Sequence, residues 1–416
     1  MPIRTTTGKA PQKDEASDGK RADTGLQAAE KQNRLNYLDW LRVLAVAGVF
    51  YAHTSNLFDT LFWHVNDSRE KDLAVFGTQW GMSLFFLLAG ASAWFSLRSR
   101  TPHQFIDERF MRLVIPFIVG VLILSPFQGY MLSRELASFN GSFLQFYPYF
   151  FGQIQPNIDP QVLASYGYHL WFLAFLFLFS LIALPFFSYL NRLAGQHFLS
   201  KLAALCEKPG GIFIFVLPLA LIQLTLRASF PGYREWADFL SWLVYFVSGY
   251  ILLADERLTK AIQKQGLLAL IVGAICVATL FITMYGPGYL WESTPSYTIK
   301  YELYQLLYSI TAWSLMISLV YLAIRFLNVQ NRIITYANEA VLPFYILHYS
   351  VIVTMIFIVM QWQGNMVIKF LIVLGSALVG TLALYEFLIK RVSFLRGMFG
   401  MKPKRLVQDK KRQRSE

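Results

Sequence analysis

Residues 167–190 read GYHLWFLAFLFLFSLIALPFFSYL, a run without a single Asp, Glu, Lys or Arg. A bilayer core takes about 20 apolar residues of helix, so this stretch is long enough to span one. Working outward from it, similar runs fall near 36–56, 74–97, 112–133, 211–227, 236–254, 266–284, 304–324, 333–359 and 366–389. The chain therefore reads as all-α, a polytopic transmembrane bundle of about ten helices. Composition agrees: 55% of the 416 residues are hydrophobic and only 15% are charged, against roughly 25% charged in soluble domains. The 36 Phe, 22 Tyr and 10 Trp suit lipid-facing surfaces and interfacial belts.

A net charge of +12 would suggest nucleic acid in a soluble protein, but here its placement gives it another meaning. With the N-terminus inside, the alternate segments on that side hold 29 of the 37 Lys and Arg, and the outer loops hold 6. Positive charge collects on the cytoplasmic side of membrane proteins, so both termini are expected there and nucleic acid is not an expected partner. Residues 1–33 mix both charge signs with Ala, Thr and Gly and read as a disordered cytoplasmic tail. Residues 34–390 form the membrane domain, and 391–416 a basic cytoplasmic tail able to touch anionic lipid head groups. The first apolar run lies too far from Met1 for a cleavable signal peptide. Cys206 and Cys276 are far apart, so neither a disulfide nor a metal cluster is expected. The outer loop near 134–165 is dense in Phe, Tyr and Pro and is expected on the membrane surface, where an acceptor could dock.

Ionisable residues inside membrane helices are costly and point to function. The first helix, LNYLDWLRVLAVAGVFYAHTSNLF, carries Asp39 and Arg42 three residues apart, close enough to pair. His53 follows Arg42 by eleven residues, which returns it to nearly the same face, about 16 Å further along the axis. An acid, a guanidinium and an imidazole thus share one stripe. Interfacial anchoring by Asp39 and Arg42, with His53 as an inter-helix hydrogen-bonder, is the plainer alternative. Before the third helix, DERFMRLVIP places Arg109 and Arg112 as a two-guanidinium clamp suited to phosphates, or as an ordinary positive flank. His169 and Trp171 open the fourth helix at the outer interface. The ninth carries Glu339 near its cytoplasmic end and His348 deeper, in NEAVLPFYILHYSVI, where a lone His is often a packing residue.

Taken together, these residues resemble the acyltransferase 3 family of integral-membrane acyltransferases. The resemblance rests on Arg42 and His53 with ten residues between them, on the Arg-x-x-Arg motif Arg109 to Arg112, on HLWFL at 169–173 and on PFYILHYSVI at 343–352. Within the family the chain looks closest to the branch that includes the osmoregulated periplasmic glucan succinyltransferase. The resemblance implies transfer of an acyl group from cytoplasmic acyl-coenzyme A to a hydroxyl of an extracytoplasmic glycan, glycolipid or other envelope acceptor. Acyl-coenzyme A would then be a co-substrate, with no further cofactor and no metal. His53 would be the general base, and Arg42, Arg109, Arg112, Asp39, Trp171, His169, His348 and Glu339 would bind substrate or shape its site. A carrier of a small anion or glycolipid, with the same charges lining its path, is the rival reading, as is a regulatory membrane protein without chemistry.

Overall fold

A computed structural model describes residues 15–59, 68–136, 138–153, 159–285 and 297–401, and side chains within 36–59, 81–136, 138–153, 159–283 and 297–401. Its elements are α1 (Glu15–Phe58), α2 (Ser68–Arg98), α3 (Pro102–Glu135), α4 (Phe143–Gly152), α5 (Pro160–Tyr166), α6 (Tyr168–Leu190) and α7 (Leu193–Cys206). There follow α8 (Gly211–Leu226), α9 (Trp236–Ala254), α10 (Glu256–Tyr285), α11 (Ile299–Phe326), α12 (Arg332–Met360), α13 (Met366–Ile389) and α14 (Ser393–Met398). No strand occurs among the described residues.

Ten of these helices stand where the apolar runs placed them, and the protein is an all-α, multi-pass membrane protein. Eight are long and apolar enough to cross a bilayer: α2, α3, α6, α9, α10, α11, α12 and α13. The other two fall short for different reasons. The apolar helix α8 is short, and α1 carries Arg42, His53, Thr54, Ser55 and Asn56 in its apolar half. Of these, Arg42 and His53 belong to the site described below.

The helix α1 starts at Glu15, within the stretch expected as a disordered tail. Residues 15–33 are rich in Ala, Glu, Lys, Gln and Arg, which favour helix even where little apolar surface can be buried. Residues 1–14 and 402–416 lie outside the described residues. The C-terminal segment also departs from a free tail. In α14, Arg396 is 7% exposed, and the following Phe399 is buried as well. Gly400, at φ +69°, turns the chain so closely onto α3 and α12 that a Cβ there would lie 2.8 Å from the Arg112 carbonyl and 2.7 Å from Leu342.

Two helix features position the site. First, α3 bears two π turns, closed by Ile115 N–H on the Phe110 carbonyl and Ser125 N–H on the Gly120 carbonyl. Each stands immediately before a proline, Pro116 and Pro126, whose missing N–H interrupts the ordinary helical ladder. The first spans Arg112. Second, α2 and α9 pack closely, with a glycine from each at the contact. A Cβ on Gly90 would meet the Phe246 carbonyl oxygen at 1.8 Å, and one on Gly249 the Leu87 oxygen at 1.9 Å. In a membrane, such small residues let backbones approach where no hydrophobic drive exists between helices.

The expected surface loop near 134–165 contains α4 and α5. The ring of Phe146 is buried against Tyr130, Phe139, Tyr149 and Phe150. Residues 137 and 154–158 of that loop lie outside the described residues.

Candidate active site

At the end of the bundle where the apolar half of α1 begins, α1, α2, α3, α6, α12 and α14 enclose a cavity of about 650 Å³. Five arginines line it, Arg42, Arg100, Arg109, Arg112 and Arg396, against two carboxylates, Glu108 and Glu339. Asp39 and Arg42 pair as their spacing suggested, Nη1 lying 3.0 Å from Oδ1. Arg42 is further fixed by Asn338 Oδ1 at 3.2 Å and Ser92 Oγ at 2.8 Å. Glu108 lies between Arg100 at 3.0 Å and Arg112 at 3.7 Å. Glu339 lies 3.9 Å from Arg396. Arg109 rests over the Phe105 ring at 5.0 Å, with Glu108 acting on it from the preceding position. The wall therefore carries more positive charge than its own acids neutralise, and it presents several planar guanidinium forks. That is what a polyanion such as a phosphate ester requires. Deeper in, the lining turns apolar, with Val46, Phe85, Leu88, Phe172, Leu173, Leu176 and the Tyr345 ring.

The Tyr345 ring marks the boundary with a second group of residues. Its ring centre lies 5.6 Å from that of His169 and 5.8 Å from that of His348, and its hydroxyl donates to the His169 carbonyl. The Tyr345 carbonyl lies 3.1 Å from His169 Nε2 and 2.7 Å from His348 Nδ1. A carbonyl only accepts, so those two nitrogens are the protonated ones in neutral rings. The opposite nitrogens, His169 Nδ1 and His348 Nε2, are buried lone-pair acceptors without a protein partner. His53 completes the cluster, its ring centre 5.5 Å from His348, 6.3 Å from His169 and 5.2 Å from Tyr349. Unlike the other two it is only half-buried, and no hydrogen bond holds its nitrogens among the described residues. It is the imidazole free to act on something else. The three rings do not form a metal site: no group of three or more ligand side chains with suitable placement occurs among the described residues.

A line of aromatic rings runs from the cluster towards α4. Tyr349 lies 6.5 Å from Tyr168, and Tyr168 stacks 6.3 Å from Phe150. The backbone of Tyr168 has φ +48°, a conformation uncommon for a side-chain-bearing residue, immediately before His169.

A family model described as an acyltransferase domain, that of acyltransferase 3, matches residues 35–386. The chain belongs to the acyltransferase 3 family. It is thus a membrane acyltransferase. Neither a curated protein nor a solved structure matches it at a significant level.

For this acyltransferase, the structure brings Arg42, Arg109, Arg112 and Glu339 to one cavity, with Asp39 beside it, and His53, His169 and His348 to one cluster. Trp171 touches neither of them directly. It is buried in a stack with Trp242 at 4.9 Å and Phe175 at 5.0 Å. Sequence reasoning missed Ser92, Arg100, Asn338, Tyr345, Tyr349 and Arg396. Of these only Arg100 and Arg396 had a signal, their charge, and both were absorbed into the positive-inside count.

Proposed function

We propose that this acyltransferase moves an acyl group from cytoplasmic acyl-coenzyme A to a hydroxyl of an extracytoplasmic glycan, glycolipid or similar acceptor, with both termini cytoplasmic. One observation carries the reading: the arginine-walled cavity narrows to apolar walls whose inner boundary, Tyr345, touches the histidine cluster holding the free His53 ring. Coenzyme A phosphates would sit among Arg42, Arg109 and Arg112, and the thioester arm along Phe172, Leu173 and Leu176. The acceptor would come from the side of Tyr168 and Tyr349. His53 takes the acceptor hydroxyl proton as its oxygen forms a bond to the thioester carbonyl carbon. The C–S bond then breaks, and the coenzyme A thiolate leaves with the proton returned from the imidazolium. Neutral His348 and His169 fit beside a base that becomes cationic, because their free nitrogens are acceptors. The branch around the periplasmic glucan succinyltransferase remains our proposal for the nearest kin.

The deciding assay mixes purified protein with labelled acyl-coenzyme A and cell-envelope glycans. Release of free coenzyme A with label on the glycan supports transfer, whereas labelled compound crossing a vesicle wall intact would favour the carrier. Arg109→Ala and Arg112→Ala should each weaken donor use by about 1.5–3 kcal/mol, read as KM for the donor. Lys at either position should restore only part, since a point charge lacks the planar fork. Unchanged KM in both Ala variants would return the pair to a topological flank. For orientation, tags at Lys20 and Glu416 should resist a membrane-impermeant reagent while one near Asn140 is labelled. The reverse pattern would invert the bundle and, with it, the side on which the donor is used.

A further inference from the structure

The loop between α8 and α9 holds two arginines whose surroundings differ. Asp238, buried in the first turn of α9, is engaged on both oxygens: Arg227 pairs with Oδ1, and the backbone N–H of Arg234 donates to Oδ2 at 2.8 Å. Arg227 is further held by Gln223 Oε1 at 2.8 Å. That acid is therefore neutralised by Arg227. The Arg234 guanidinium forms no ion pair among the described residues, and its Nε is buried without a hydrogen-bond partner. It lies 5.3 Å from the Tyr233 ring centre and 6.0 Å from that of Trp171, two residues beyond His169. The His169 ring centre lies 6.3 Å from that of His53, so Arg234 stands at the end of α6 that carries the histidine cluster. The backbone at Arg234 has φ +69°, a left-handed conformation that a side-chain-bearing residue holds only when its surroundings impose it. Here the bond to Asp238 imposes it. Arg234 belongs to neither the arginine-walled cavity nor its lining, so it does not serve the coenzyme A phosphates placed there.

A partly desolvated guanidinium that forms no ion pair of its own is a costly arrangement unless a ligand supplies the anion. We infer that Arg234 is a specificity residue that binds a carboxylate, or a comparable oxyanion substituent, on one of the two reacting partners beside His53. The inference rests on His53 being the transfer centre. The aromatic faces of Trp171 and Tyr233 hold the planar fork, and its remaining donors face the anion. Either source has the same chemistry: a distal carboxylate on the acyl group, or an anionic substituent on the acceptor.

The test uses the purified full chain with envelope glycans and two donors of equal chain length, succinyl-coenzyme A and butyryl-coenzyme A, which differ by the terminal carboxylate. Arg234→Gln should lower the succinyl-to-butyryl ratio of kcat/KM by about tenfold or more, the loss expected for one charge-assisted contact. Arg234→Lys should recover part of that ratio. If the donor ratio holds but the ratio between an anionically substituted glycan and its neutral counterpart falls by the same factor, the anion belongs to the acceptor. A variant that elutes and melts like the parent, yet scales every substrate pair by one common factor, overturns the inference while leaving transfer intact. Failure of the parent protein to transfer from either donor would instead remove the reading of His53 on which it stands.

Discussion

His53→Ala should lower acyl transfer by a factor on the order of 100 to 10,000 while the protein still inserts, purifies and binds its donor. The size follows from the loss of proton abstraction alone, since His53 does not line the arginine-walled cavity proposed to hold the donor. The geometry separates His53 from its neighbours. His169 and His348 each spend one nitrogen on the Tyr345 carbonyl, whereas both His53 nitrogens are uncommitted. His348→Ala removes a buried ring and one of those hydrogen bonds, so it should lower the melting temperature as well as activity, and cost less transfer than His53→Ala. Specific activity and thermal melts of both variants, measured on the same preparations, separate the two. An active His53→Ala beside a well-folded but inactive His348→Ala would move the chemistry to α12.

The helices were legible because hydrocarbon demands long apolar runs, and such runs survive in the sequence whatever packs against them. The stripe on α1 was legible for a similar reason: Asp39, Arg42 and His53 stand out where charge is costly, and their pairing follows from helical spacing. What could not be read was convergence between helices. Nothing in the spacing of His169, His348 and His53 says that their rings meet, because three separate elements, α6, α12 and α1, bring them together. Tyr345 was invisible for the same reason: its ring, its hydroxyl and its backbone carbonyl all act on residues of α6 and α12 that only the fold brings together. Arg396 was misleading in a different way. A basic C-terminal stretch reads as solvated, and only the turn at Gly400 shows that it folds back onto the cavity. Trp171, two residues beyond His169, is buried in a stack with Trp242 and Phe175, a packing partner that spacing along α6 does not reveal.

The α2–α9 seam gives the second large effect, on stability. Gly90→Ala and Gly249→Ala should each destabilise the purified protein by about 3 kcal/mol, the upper end for overpacking, and together abolish a cooperative melt. The reason is what each new methyl would meet. At Gly90 it is the Phe246 carbonyl oxygen at 1.8 Å and at Gly249 the Leu87 oxygen at 1.9 Å, both backbone atoms that cannot rotate aside. The helices would have to separate by more than an ångström. That shift would reach the site, because Phe86 on α2 packs on Trp242 of α9 at 5.6 Å and on Phe172 of α6 at 4.8 Å, and Phe172 lines the cavity. Activity should therefore fall with stability in these variants. Gly375→Ala in α13 is the matched control, since its Cβ would meet nothing within 4 Å. Replacing an open helical glycine should be neutral or add about 0.5–1 kcal/mol. Melts in one detergent compare all three directly. A Gly249→Ala protein as stable as the Gly375→Ala control would mean that α2 and α9 do not approach as closely as this seam requires.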